Sequence, residues 1–189
     1  MPEEAKPKSK FAVVINASVE DVWREITRTD APIKAFFNNR MHVSGFHPGS
    51  PLAMRTPNDK FTGVVGEILE FNPPHRFSHT FMFTDLNDPP CAVVYDLKPV
   101  AGGTEFTLSI LDAAPGTKTA KRMMSGAKMI NSTLKNVLER GKPALGIRLM
   151  YRMFALMSII TPKRCRSEHW GLEEIPGRIR AAGPQPAGV

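Results

Sequence analysis

The apolar and polar positions along this 189-residue chain change period twice, from short and mixed to two-residue and then to helical. Lys10 to Asn16 (KFAVVIN) is a short apolar run rich in β-branched residues, and predicts a strand. Ser18 follows as an N-cap with Asp21 three residues on, close to a capping box. Val19, Val22, Trp23 and Ile26 then recur at i, i+3, i+4 and i+7, one face of a helix. Asp30 and Pro32 read as the start of a second short helix, with Ile33, Phe36 and Phe37 on its apolar face.

From Met41 to Asp112 the pattern is that of strands. Gly45, Pro48, Gly49 and Pro51 break the first part into turns. Phe61 to Phe71 reads as a strand whose Gly63 and Gly66 suit bends or bulges in a curved sheet. The turn Asn72-Pro73-Pro74 leads into a strand from Arg76 to Phe83, and Asp85 to Pro90 is a loop. Cys91 to Pro99 and Thr104 to Asp112 pair about a hairpin turn at Ala101-Gly102-Gly103. Consecutive strands joined by short turns predict an antiparallel meander, because parallel strands need long crossovers.

After Pro115-Gly116 the period becomes helical. Met123, Ala127, Ile130, Leu134 and Val137 form one stripe along a helix of about six turns. Gly141 is placed as its C-cap, and Pro143 opens a further helix. Leu145 to Ile160 is apolar apart from Arg148, Arg152 and a few small or amphipathic residues. The Pro/Gly/Ala-rich stretch 175–189 reads as a disordered tail.

Charge adds one feature to this picture. Residues 1–116 hold eleven Lys/Arg and fourteen Asp/Glu, a balance of −3. Residues 117–189 hold fourteen and four, a balance of +10, so the +7 of the whole chain belongs to its last third. Such a segment suits anionic lipid, nucleic acid, an acidic protein or simply solvent. No recognised nucleic-acid reading module accompanies it, which makes nucleic acid an unlikely partner. Cys91 and Cys165 lack metal spacing and are too few for a disulfide framework, so they read as reduced thiols. Met1 to Lys10 lacks the apolar core of a signal peptide, and no stretch reaches the roughly 18 apolar residues of a membrane span. The expectation is a cytoplasmic protein.

Candidate chemistry is sparse. His75 and His79 have HxxxH spacing, but four residues of strand separate them by about 13 Å, too far to share one ion. No metal site and no cofactor are expected. There is no nucleophile elbow, P-loop or paired-carboxylate motif, so no catalytic residue is assigned. Asp96, next to Tyr95 on a strand, points to the opposite face and reads as structural. His79 shares a strand face with Phe77, Phe81 and Phe83, a lone polar group among aromatics.

Four stretches carry a family resemblance. Ala17 to Trp23 (ASVEDVW), Gly63 to Phe81 (GVVGEILEFNPPHRFSHTF), Tyr95 to Leu108 (YDLKPVAGGTEFTL) and the helix Ser125 to Gly141 occur in the order seen in the START-like (SRPBCC) superfamily. Together they resemble the branch named after the activator of the ninety-kilodalton heat-shock chaperone's ATPase. The resemblance covers roughly residues 10–141 and implies an α+β helix-grip fold, a curved antiparallel sheet closed around a long C-terminal helix. A basic, apolar helical extension at 142–174 lies outside it. That extension reads as packed back on the domain, as an interfacial membrane helix or as a protein contact. The chain has Ala127 where this branch usually has Trp, which implies a roomier interior.

Fold alone does not select a function. The leading expectation is a cavity that binds or transports an apolar, lipid-like or polyketide-like molecule. Its expected lining is Phe77, His79, Phe81 and Phe83 from the sheet and Met123, Ala127 and Ile130 from the long helix. A co-chaperone-like interaction module and a cyclase- or hydrolase-like enzyme are the alternatives.

Overall fold

The computed structural model describes residues 9–156 and 161–184. Seven strands form one antiparallel sheet: β1 (Ser9–Ile15), β2 (Arg40–Val43), β3 (Pro51–Arg55), β4 (Thr62–Asn72), β5 (Arg76–Phe83), β6 (Cys91–Val100) and β7 (Gly103–Leu111). Their order across the sheet is β1-β7-β6-β5-β4-β3-β2, a meander from β2 to β7 with β1 added at its far edge. The register shifts between Ile68 and Glu70, where β4 meets β5, and between Met54 and Arg55, where β3 meets β4. Such irregularities bend a sheet.

Helix α1 (Val19–Thr27) starts at Ser18, whose hydroxyl accepts from the Asp21 backbone N–H at 3.1 Å. It buries Val19, Val22 and Ile26. The long helix α2 (Lys118–Arg140) is capped by Thr117, and the Asp88 carboxylate accepts from the Thr119 N–H at 2.8 Å. It ends at Gly141, whose φ of 71° is the left-handed conformation that glycine adopts without strain. Met123, Ala127 and Leu134 of its apolar stripe are buried; Ile130 is partly so. Together α1, α2 and the concave sheet face enclose the main core, the helix-grip arrangement expected.

Two expectations are corrected. Residues 31–39 form no helix. Ile33 and Asn39 pair as an isolated antiparallel bridge, and Phe37 and Asn38 have positive φ of 56° and 58°. This loop drives Phe36 onto Tyr95 in a stacked pair, ring centroids 5.4 Å apart, and that contact outweighs the local helical pattern. The stretch from Ile175 is likewise no disordered tail as far as Ala182. It forms helix α4 (Ile175–Ala182) with Ile175 and Ile179 fully buried. Three short 3-10 turns (Lys163–Cys165, Ser167–His169, Leu172–Glu174) carry the chain there. Trp170, Ile175 and Ile179 join Ala53, Val65 and Met82 in a second core, separate from the one under α1 and α2.

Helix α3 (Leu145–Leu156) buries none of its residues. The expected continuation of its apolar run through Ile160, and the tail beyond residue 184, lie outside the described residues. Among the described residues no helix is long and apolar enough to cross a membrane.

Candidate functional site

Between α2 and the concave face lies a cavity of about 550 Å³, within the usual range for small-molecule sites. Because side chains alternate across a strand, His79, Phe81 and Phe83 of β5 face the same way as Val93 and Tyr95 of β6 and Leu108 and Ile110 of β7. Met123, Gly126, Ala127 and Ile130 of α2 form the opposite wall. Most of the lining is apolar. The open side runs between the 31–39 loop, the first turns of α2 and Phe154 of α3, where Arg122, Ser125 and Phe154 are exposed.

Six of the seven residues expected to line the cavity do so: His79, Phe81, Phe83, Met123, Ala127 and Ile130. Phe77 does not. It shares their strand face, but Phe46, Phe71 and Tyr95 surround its ring at centroid distances of 6.5, 5.7 and 5.7 Å. It belongs to the solid end of the core. Ala127 is buried in the helical wall and presents only a methyl group to the cavity.

His79 is the buried polar group at the centre. Its Nδ1 lies 2.6 Å from the Thr80 carbonyl oxygen, an atom that can only accept, so Nδ1 carries the proton. Nε2 therefore holds a lone pair, and the Tyr95 hydroxyl stands 3.5 Å from it. That is long for an O–H···N hydrogen bond. Both groups keep capacity for a guest. Burial dominates the imidazole and lowers its pKa to about 4, against the smaller opposing effect of the Thr80 carbonyl, so His79 is neutral at physiological pH. Burial pushes the Tyr95 hydroxyl upward, so it too stays protonated.

Gly66 on β4 makes this packing possible. A Cβ there would stand 2.0 Å from the Thr80 carbonyl oxygen and 3.0 Å from His79 Nδ1. At the rim, Arg122 donates to both Asp85 carboxylate oxygens at 2.9 and 2.7 Å and lies over the Phe83 ring, 5.4 Å from its centroid. Cys91 is buried, and its thiol is pushed up to about 12, chiefly by desolvation, which leaves it unreactive.

The sequence reading missed Phe36, Phe37, Tyr95, Gly126 and Phe154. Tyr95 had a signal: it sits opposite Phe77 on the neighbouring strand, on the face away from Asp96. Asp96 instead accepts from Arg76 at 2.6 Å, a structural ion pair. Gly126 lies beside Ala127 on α2, and Phe36, Phe37 and Phe154 depend on how the 31–39 loop and α3 fold over the mouth. His75 lies in the turn before β5, apart from the cavity, and no metal-binding group of three or more His, Cys, Asp or Glu occurs among the described residues. A polar groove of about 500 Å³ beside α1 holds Asp21, Arg24, Glu25, Arg28 and Asp30, whose charges pair with one another.

Comparison with known proteins supports this architecture. No curated protein matches the chain at the sequence level. Among solved structures it is similar to CalU16 from Micromonospora echinospora, with 18% identity and a TM-score of 0.56 over 76% of this chain and 81% of that one. The Aha1 dimer from Colwellia psychrerythraea also gives 18% identity and 0.56, over 70% of this chain and 96% of that one. DynU16, described as a protein of the dynemicin biosynthetic locus, gives 23% identity and 0.51 over 71% of this chain but 48% of its own. At these identities the likeness is one of fold. A family model matches residues 16–139, about two thirds of the chain and both walls of the cavity, and on that match the protein belongs to the family described as Activator of Hsp90 ATPase homolog 1-like protein.

Proposed function

We propose that this protein binds or carries an apolar small molecule in the cavity between α2 and the sheet. The observation that carries this reading is the cavity of about 550 Å³ walled mainly by apolar side chains, with Ala127 leaving room on the helical side. Burying apolar surface is worth about 25 cal/mol per Å². A guest hiding about 300 Å² would therefore gain about 7 kcal/mol before association costs. The His79–Tyr95 pair adds a preference for a guest with one hydroxyl or carbonyl: Nε2 accepts from a hydroxyl, and Tyr95 donates to a carbonyl or hydroxyl oxygen.

Cyclase- or hydrolase-like use of the same cavity is less well supported. A general base works best with a pKa near the operating pH, and His79 is held down to about 4. Its geometry suits orienting a guest. The co-chaperone-like alternative draws on family membership, and nothing in the cavity speaks for it.

The test is Ala127→Trp, which replaces a methyl by an indole in the cavity wall. Nile red, a neutral apolar dye, should bind the wild-type protein with enhanced fluorescence. Its affinity should fall at least about tenfold in the variant, whose circular dichroism should match the wild type. Equal affinity in a correctly folded variant would remove the cavity as the binding site.

A further inference from the structure

Helix α3 lies at the cavity mouth and is the least anchored of the four described helices. Ile147, Met150 and Tyr151, spaced i, i+3 and i+4, form its partly covered side, and Phe154, next along that side, lines the cavity while staying 47% exposed. The Tyr151 hydroxyl donates to the Lys34 carbonyl oxygen at 2.6 Å. None of its residues is buried, whereas α1, α2 and α4 bury three, six and two.

The rest of α3 faces solvent with an unusual surface. Leu145, Leu149, Met153 and Leu156 are 76%, 62%, 51% and 77% exposed, and Arg148 and Arg152 stand exposed among them. The sequence from Arg140 to Ser167 contains seven Lys/Arg and no Asp or Glu. Exposed leucines interleaved with arginines that form no ion pair among the described residues match the boundary between acyl chains and anionic headgroups. A second copy of the chain would set like charges against each other on this face, which argues against self-association there.

We infer that α3 docks the protein onto an anionic lipid surface, with Leu145, Leu149 and Leu156 in the acyl boundary and Arg148 and Arg152 at the phosphates. Docking in this way sets α3 between the bilayer and the cavity mouth, so an apolar guest has a path of about one helix diameter, roughly 10 Å, between them. That last consequence rests on the apolar-guest reading; the docking itself does not.

The experiment uses the full chain and sedimentation with vesicles of phosphatidylcholine alone or mixed with phosphatidylglycerol. The protein should pellet with the mixed vesicles, and added salt should release it. R148Q/R152Q should weaken partitioning roughly 25-fold, taking about fivefold per basic residue. L149Q/L156Q should abolish it at low protein concentration. All four positions are exposed, so both variants should melt like the wild type and still take up Nile red. Absence of vesicle binding by the wild type, or binding indifferent to both double substitutions, overturns the inference and leaves the cavity reading intact. A wild-type dimer in solution that both variants break also overturns it. Vesicle binding with no Nile red uptake supports docking and removes only the guest.

Discussion

His79 shows what burial does to one side chain. Its ring is enclosed by Phe77, Phe81 and Tyr95. The imidazole has an ordinary pKa of 6.5, and burial lowers it to about 4. Between those values the unfolded chain binds a proton that the folded protein refuses. The contribution of His79 to stability is therefore lost as pH falls from about 6.5 through about 4, and changes little below that. The loss is roughly 3 kcal/mol, from about 1.4 kcal/mol per pKa unit. Urea unfolding at pH 7, 5.5 and 4 should show this decline in the wild type and much less of it in His79→Gln. Parallel pH profiles for the two proteins would mean that His79 takes up its proton as readily in the folded protein as in the unfolded chain. The position of His79 among aromatics was legible from the two-residue period of β5. Its tautomer was not, because the Thr80 carbonyl that sets it reaches the ring only where β4 and β5 close in at Gly66.

At the level of elements, α4 teaches most. Ile175 and Ile179 stand at i and i+4, and Pro176 occupies the first turn, all signals of a helix start. Composition hid them, since the surrounding Pro, Gly and Ala match a disordered tail. The deciding factor was the partner surface: Ala53, Val65 and Met82 offer a dry face that eight isolated residues could never create. Arg55 donates to the Trp170 carbonyl oxygen at 3.1 Å, and Arg178 lies over the Trp170 ring, 4.9 Å from its centroid. Ile179→Ala should thus cost about 3 kcal/mol, read as a lower urea midpoint with an unchanged m-value. A shift within error of zero would mean that α4 is not held against the sheet in solution. The loop at residues 31–39 is the converse case. It has helical spacing, but Phe36 gains more by stacking on Tyr95 than the segment would by coiling.

Across the whole molecule the sheet is covered from both sides, by α1 and α2 on one face and by residues 163–182 on part of the other. The family match ends at residue 139, so the second cover lies outside it. A chain ending at Gly141 would keep the cavity walls of β5, β6, β7 and α2 but bare the apolar patch at Ala53, Val65 and Met82. It should unfold at lower urea than the full chain and self-associate on size exclusion. If it proved as stable and monodisperse as the full chain, the second core would be an accessory and not part of the stability of the fold.

Local periodicity was enough to determine the strands from β4 to β7, the capped helices α1 and α2, and the face of β5 that turns inward, because each follows from a repeat within one element. Tertiary structure alone decided that Phe77 is sealed among other rings, that Tyr95 meets His79, that the chain after residue 163 returns to the sheet and that α3 is left half uncovered at the mouth. These depend on which surfaces meet across the fold, and no repeat inside a single segment encodes that meeting.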